Sequence, residues 1–201
     1  MKIILASKSA IRKKMFDELG ISYEIIVSNA DESFKDSYDF YEDQLKDISL
    51  RKAETVFSKN LGDCIIVGSD YMVIQGNKTD STGHILGKIY GKPHSETDAI
   101  SYLNDFRNGL ATCLCGTSII VYKNNKKEIF QDIASSIISI DDLSDSYIKE
   151  YVKNPDVYKT AAGFNLAMKI CPFVHLVSGD ISTSTGLHIE FVKEILEKYN
   201  I

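Results

Sequence analysis

Three groups of side chains in this sequence could do chemistry, because their charge stands where folding alone would not place it. Asp70 is the only charged residue in the run Cys64-Ile-Ile-Val-Gly-Ser-Asp-Tyr-Met-Val-Ile74. An ionised carboxylate in an apolar strand is costly unless a cation, a metal or a set of donors compensates it. That makes Asp70 the best single candidate for a catalytic residue; a turn or bulge at Gly68-Ser69 that leaves it in solvent is the structural alternative. Lys52 follows Leu45 by seven residues and precedes Val56 by four, so it projects near the apolar stripe of an amphipathic helix. A snorkelling stem and a functional ammonium both fit that position. Ser7, Ser9, Arg12 and Lys13 gather at the start of a helix, where backbone N–H groups, hydroxyls and a guanidinium fork make a competent phosphate cradle. Basic residues there oppose the helix dipole, and an anionic ligand would relieve them. Glu32 after the second strand and Lys92 before a helix complete a set of charges at element ends.

The elements that must position these groups are readable from periodicity. Lys2 to Ala6 reads as a strand, and Ile11, Met15 and Leu19 recur at helical spacing until Gly20. Tyr23 to Val27 reads as a second strand. Seven acids against two lysines then fall between Asp31 and Asp47, a pattern expected of a solvated loop for most of its length. The spacing of Leu45, Ile48, Ala53, Val56 and Phe57 predicts a helix from about Phe40 to Lys59. Cys64 to Ile74 is a strand, and residues 75 to 93 form a polar, Gly-containing connection with two Gly-Lys pairs, Gly87-Lys88 and Gly91-Lys92. Neither pair has the spacing of a Walker phosphate loop. Ser95 with Asp98 resembles a capping box for a helix carrying Ala99, Ile100, Leu103 and Phe106, which Asn108-Gly109 stops. Ala111 to Tyr122 and Glu128 to Ile140 form a hairpin about Lys123-Asn124-Asn125-Lys126. A helix over Ser144 to Lys153 ends at Asn154-Pro155. Phe173 to Val177 is a strand, and Leu187, Phe191, Ile195 and Tyr199 mark a C-terminal helix introduced by Ser182-Thr183-Ser184-Thr185. Alternating strands and helices followed by a hairpin predict a mixed α/β, or α+β, architecture.

Composition narrows the partners. With 201 residues, 44% apolar and 25% charged, the chain can bury a substantial core. Its formal net charge of −5, from 28 acids and 23 bases, supplies no general field for a polyanion, so direct nucleic-acid binding is not expected. No run approaches the ~18 apolar residues of a membrane span, and no secretory signal is recognisable. Cys64, Cys113, Cys115 and Cys171 show neither metal-ligand spacing nor disulfide density, which points to reduced thiols and a cytoplasmic protein. His84, His94, His175 and His188 likewise show no ligand spacing. Tyr38, Phe40 and Tyr41 read as a packed surface cluster or a lid.

Several short stretches together closely resemble the Maf family of nucleoside triphosphate pyrophosphatases. These are Ile-Leu-Ala-Ser-Lys-Ser-Ala-Ile-Arg-Lys near the start, Leu-Gly-Ile-Ser-Tyr-Glu-Ile-Ile-Val-Ser-Asn-Ala-Asp-Glu up to Glu32, Arg51-Lys52-Ala53, Val67-Gly-Ser-Asp70 and Gly91-Lys92-Pro93. Tyr158-Lys159-Thr-Ala-Ala and Ser182-Thr-Ser-Thr-Gly-Leu187 follow in order. Each is weak alone; their order over essentially the whole chain is specific.

The resemblance implies a single Maf-like domain over residues 1–201, an inosine triphosphate pyrophosphatase-like fold with two lobes around a deep cleft and a central mixed sheet. It implies hydrolysis of a nucleoside triphosphate to the monophosphate and pyrophosphate, with Mg²⁺ or Mn²⁺, in nucleotide-pool housekeeping, and a homodimer. By position, Asp70 matches the general base, and Glu32 and Asp70 match the carboxylates that bring in the metal. Lys52, Lys92 and Lys159 match the residues that neutralise triphosphate charge; Ser7, Ser9, Arg12 and Lys13 match the phosphate-binding loop. Lys92 is chosen over Lys88 because Pro93 and a helix follow it. Ala10-Ile11-Arg12, Tyr71 and Ala167 depart from the pyrimidine-preferring pattern, and Gly68-Ser69-Asp70 with Ile11 lies nearer the 7-methyl-GTP pattern, whose acid near position 167 is absent too. The base therefore stays open, and a catalytically weakened nucleotide-binding regulator of the same fold is the alternative.

Overall fold

The computed structural model describes residues 1–59 and 61–201. Strands β1 (Lys2–Leu5), β2 (Glu24–Ile25), β3 (Cys64–Gln75), β7 (Gly109–Lys123), β8 (Lys126–Ile140) and β9 (Val174–Ser178) belong to one mixed sheet in the order β2-β1-β3-β7-β8-β9. β1 pairs in parallel with β2 and β3, while β8 and β9 are antiparallel, and β6 (Ile89–Tyr90) pairs antiparallel with β3. Two further short strands, β4 (Lys78–Thr79) and β5 (Ile85–Leu86), form a separate ribbon inside the 75–93 connection. The helices are α1 (Ala10–Glu18), α2 (Tyr41–Phe57), α3 (Glu96–Phe106), α4 (Asp145–Tyr151), α5 (Ile181–Thr185) and α6 (Ile189–Lys198). None of the described helices is long and apolar enough to cross a membrane.

The chain divides into two compact units. The first comprises residues 1–71, 115–134 and 186–201; the second comprises 72–114 and 135–185. In the first unit the side chains of successive strand residues point to opposite faces, and both faces are covered. Ile3, Leu5, Ile65, Val67, Ile119 and Val121 pack with Phe16 of α1 and with Val192, Ile195 and Leu196 of α6. Ile4, Ala6, Cys64, Ile66 and Ile120 pack with Ala53 and Val56 of α2. Burial on both sides is why these strands read as unbroken apolar runs. Two glycines let α2 lie unusually close to the sheet: a Cβ on Gly68 would come 2.3 Å from the Ser49 carbonyl oxygen, and one on Gly116 would come 2.7 Å from that of Leu45. The hydroxyls of Ser49 and Ser118 meet at 2.7 Å across the same seam.

In the second unit Ser95 caps α3, its hydroxyl accepting from the Asp98 N–H at 3.0 Å. Asp98 accepts in turn from the His94 N–H. Tyr90, Phe106 and Phe164 form a chain of edge-on ring contacts. The buried Tyr151 hydroxyl donates to the Gly163 carbonyl at 2.8 Å and lies 3.0 Å from Cys171 Sγ.

Most sequence expectations for the elements hold within a residue or two. The hairpin turn falls at Asn124 and Asn125, both at positive φ (52° and 61°), the mirror-image turn that asparagine tolerates. The acidic run is a loop to Phe40 and becomes α2 from Tyr41, as expected, with Gln44 buried and Asp47 largely so. Two expectations need correction. The 75–93 connection contains the short strands β4 to β6, formed by pairing that its polar composition does not advertise. Ser182–Thr185 do not introduce the C-terminal helix: Asp180 accepts from the Thr183 N–H at 2.8 Å and starts the separate turn α5, while α6 begins at Ile189 without a side-chain cap.

Candidate active site

The parallel order of β2, β1 and β3 sends three chain segments out of the same edge of the first unit. Leu5 pairs with Val67 and Ile25, so the 6–9 loop and the segment leading to Glu32 leave the carboxyl ends of β1 and β2 where β3 continues through residues 68–70. That edge is where open α/β sheets bind ligands. Asp70 remains within β3 and is not left in solvent: its side chain is 17% exposed.

Lys52 leaves the buried face of α2 and turns toward that edge. Its side chain is 7% exposed; the ammonium donates to an Asp70 carboxylate oxygen and lies 3.3 Å from Glu32 Oε1. The Ser69 carbonyl is a further acceptor at 3.4 Å. One buried cation thus joins two carboxylates contributed by separate segments, so the expected grouping of Glu32, Lys52 and Asp70 is present. Glu32 is the wettest of the three, at 58%.

The α1 terminus stands beside them in the first unit. Ser9 caps the helix, its hydroxyl accepting from the Arg12 N–H at 3.4 Å, and Ser7 Oγ accepts from the Ser9 N–H at 3.1 Å. Arg12 Nε donates to the Gly186 carbonyl at 2.6 Å, and Nη1 reaches Ser7 Oγ at 3.4 Å. Ser69 Oγ donates to the same Gly186 carbonyl at 2.9 Å, which ties the arginine to the residue preceding Asp70. No acid occupies the first turn of α1, so no carboxylate there competes for the positive end of the helix dipole.

Lys13 is not brought into this group. Its ammonium pairs with Asp17 at 2.7 Å on an exposed face, and the Tyr23 hydroxyl donates to Asp17 at 2.6 Å. Those contacts hold the Asp17 carboxyl below the ordinary carboxylate range and raise the Lys13 ammonium. The remaining two lysines belong to the second unit. Lys92 is exposed in the Gly91-Lys92-Pro93 segment, and the Ala162 N–H donates to the Gly91 carbonyl at 2.9 Å, docking the stretch that follows Lys159 against this segment. Lys159 itself pairs with Asp156 at 2.7 Å. Lys88 is engaged by Asp105 at 3.2 Å and by the Tyr90 ring.

Ser69, Gly186 and Arg51 were missed as site residues although each lies in a motif that drew attention. Their work is done through backbone carbonyls, which carry no residue signature. Among the described residues no cluster of three or more His, Cys, Asp or Glu side chains could hold a metal by itself. Two acids, one half-exposed, instead suit a hard cation that keeps its waters and takes further oxygens from a phosphate.

A sequence model of the Maf family, described as Maf-like protein, matches residues 2–199. The dTTP/UTP pyrophosphatase of Clostridium beijerinckii is 29% identical over 201 residues, covering 98% of this chain and 99% of its own. The dTTP/UTP pyrophosphatase of Thermoanaerobacter sp. (strain X514) is 27% identical over 198 residues, covering 98% and 96%. The nucleoside triphosphate pyrophosphatase of Prochlorococcus marinus is 28% identical over 204 residues, with 98% and 96% covered. Among solved structures, the Staphylococcus aureus Ham1 protein aligns over 100% of both chains at 16% identity with a TM-score of 0.48.

Proposed function

The chain belongs to the Maf family, and on that premise we propose that it is a nucleoside triphosphate pyrophosphatase that cuts between the α- and β-phosphates and releases pyrophosphate. The observation that carries the reading is Lys52 between Glu32 and Asp70. Asp70 accepts a proton from, and orients, the attacking water. Lys52 holds the two carboxylates together and cancels charge that builds up on the phosphate being cleaved; such positioning and neutralisation account for most of catalysis in phosphoryl chemistry. Ser7, Ser9 and Arg12 take phosphate oxygens at the α1 terminus, where the guanidinium is held in place by Gly186. Lys13 serves as a peripheral positive charge. Lys92 and Lys159 carry the charge of the triphosphate and of the leaving pyrophosphate.

Glu32 and Asp70 would hold a divalent cation, Mg²⁺ or Mn²⁺, which when bound polarises the phosphate oxygens. The same reading includes a cytoplasmic location and a homodimer, the latter measurable by light scattering on a sizing column. The reaction is tested by incubating the purified protein and Mn²⁺ with dTTP, UTP, the other canonical triphosphates and 7-methyl-GTP, and measuring pyrophosphate. Turnover of at least one, reduced about a thousandfold or more in Asp70→Asn, is expected. Hydrolysis of none overturns the enzyme reading. Thermal stabilisation by a nucleotide without any turnover puts the nucleotide-binding regulator in its place.

A further inference from the structure

Arg51 is the charged member of Arg51-Lys52-Ala53 that has no part in the reaction just described. Its Nη1 donates to the Asp31 carbonyl and its Nη2 donates to the Ser33 carbonyl at 2.7 Å, so one guanidinium grips the backbone on both sides of Glu32. Its Nε lies 2.8 Å from Asp47 Oδ2, four residues back on α2, an ion pair without hydrogen-bond geometry that leaves the two Nη donors to the carbonyls. The side chains of Arg51 and Asp47 are 20% and 13% exposed, in contrast to the wet carboxylate they flank. Gln44 continues the hold: its Nε2 donates to the Lys35 carbonyl at 2.6 Å and its Oε1 accepts from the Lys35 N–H at 2.9 Å. Lys35 Nζ reaches Asp47 at 2.7 Å. Gln44, Asp47 and Arg51 are three and four residues apart and share one face of α2. That face lies next to the stripe bearing Lys52.

We propose that Arg51 is a positioning residue for Glu32. By fixing the carbonyls before and after Glu32 on the helix that also bears Lys52, it sets the reach of the carboxylate to the ammonium and spares the site the entropy of ordering a loop at each binding event. The inference rests on the pyrophosphatase reading, in which Glu32 helps to hold the divalent cation.

Arg51→Gln is expected to raise the Mn²⁺ concentration for half-maximal pyrophosphate release about tenfold, the usual scale for a partner that orients a metal ligand, with a smaller change in kcat at saturating Mn²⁺. Arg51→Lys is expected not to rescue, since one ammonium cannot grip two carbonyls in a fixed plane; it keeps the charge opposite Asp47 and serves if the glutamine variant does not fold. In the double variant with Glu32→Gln the two losses should not multiply, because Arg51 acts only through Glu32. Hydrogen exchange should speed up at residues 31–35 in Arg51→Gln while β3 keeps its protection. Unchanged Mn²⁺ dependence, or losses that multiply in the double variant, overturns the proposal. If the wild-type protein hydrolyses no triphosphate, the pyrophosphatase reading fails separately, and hydrogen exchange decides the clamp alone: unaltered protection at 31–35 overturns it.

Discussion

Lys52 Nζ stands 3.3 Å from the Glu32 carboxylate while also bonding Asp70. Two like charges are thereby kept at one edge of the sheet by a cation that is itself buried. Replacing Lys52 with Met would leave the carboxylates to repel each other, and with a preorganised charge removed, turnover should fall about a hundredfold or more. Arg at this position should not restore activity, because a planar fork does not fit the slot of a buried, compact ammonium. Pyrophosphate release by both variants is the measurement; activity within threefold of wild type would remove Lys52 from the mechanism.

Gly68 makes the Lys52–Asp70 contact reachable. A methyl group there would meet the Ser49 carbonyl at 2.3 Å, and the obstacle is backbone, so α2 must move. Gly68→Ala should cost roughly 2–3 kcal/mol by overpacking, lowering Tm by roughly 5–10 °C for a chain of this size. Activity should fall further than the stability loss explains at a temperature where the variant is folded. Calorimetry together with single-temperature kinetics separates the two effects.

Arg12 and Lys13 are neighbours with different expected roles. Arg12 is held by Gly186 and Ser7, whereas Lys13 is paired with Asp17. Arg12→Met should raise KM by about tenfold or more, as expected for a charged contact of about 1.5–3 kcal/mol. Lys13→Met should change KM less than threefold. Equal effects in steady-state kinetics would mean that both bases serve the nucleotide alike.

The four cysteines are free and buried, and burial pushes the thiols of Cys64, Cys115 and Cys171 up. In the unfolded chain such thiols ionise near pH ~8.5, while in the fold they keep their protons. The native state therefore binds more protons than the unfolded one above that pH, and stability must fall as pH rises through the unfolded value. Urea melts at pH 7, 8.5 and 10 should show the decline, and it should be shallower in Cys64→Ala. A thiol reagent should label none of the four until the protein is denatured; a parallel decline in both proteins would remove the Cys64 thiol as a cause.

How much of this was legible depends on where the signal resides. Lys52 and Asp70 stood out because a charge interrupts an apolar period, and Asn124-Asn125 stood out because few residues accept positive φ. The parallel strands were readable because burial on both faces leaves continuous apolar runs. Arg51, Ser69 and Gly186 could not be read in this way. Arg51 works by donating to carbonyls that every residue possesses, and the Gly186 carbonyl becomes useful only once two distant donors converge on it. The closeness of α2 and β3 at Gly68 is likewise a tertiary fact, and Ser182–Thr185 mimic a cap until Asp180 claims the turn.

The first unit draws on three stretches of chain, 1–71, 115–134 and 186–201. During synthesis the residues that carry Glu32, Lys52 and Asp70 emerge early, yet the carbonyl that restrains Arg12 arrives only with residue 186. A ribosome-bound fragment stopped before that point would lack α6 and would expose the sheet face that Val192, Ile195 and Leu196 normally cover. Closure over such long sequence separations is slow. The edge that carries Lys52 and Asp70 should therefore be completed after translation, and the nascent protein should pass through a sticky, incomplete interval that chaperones are suited to guard.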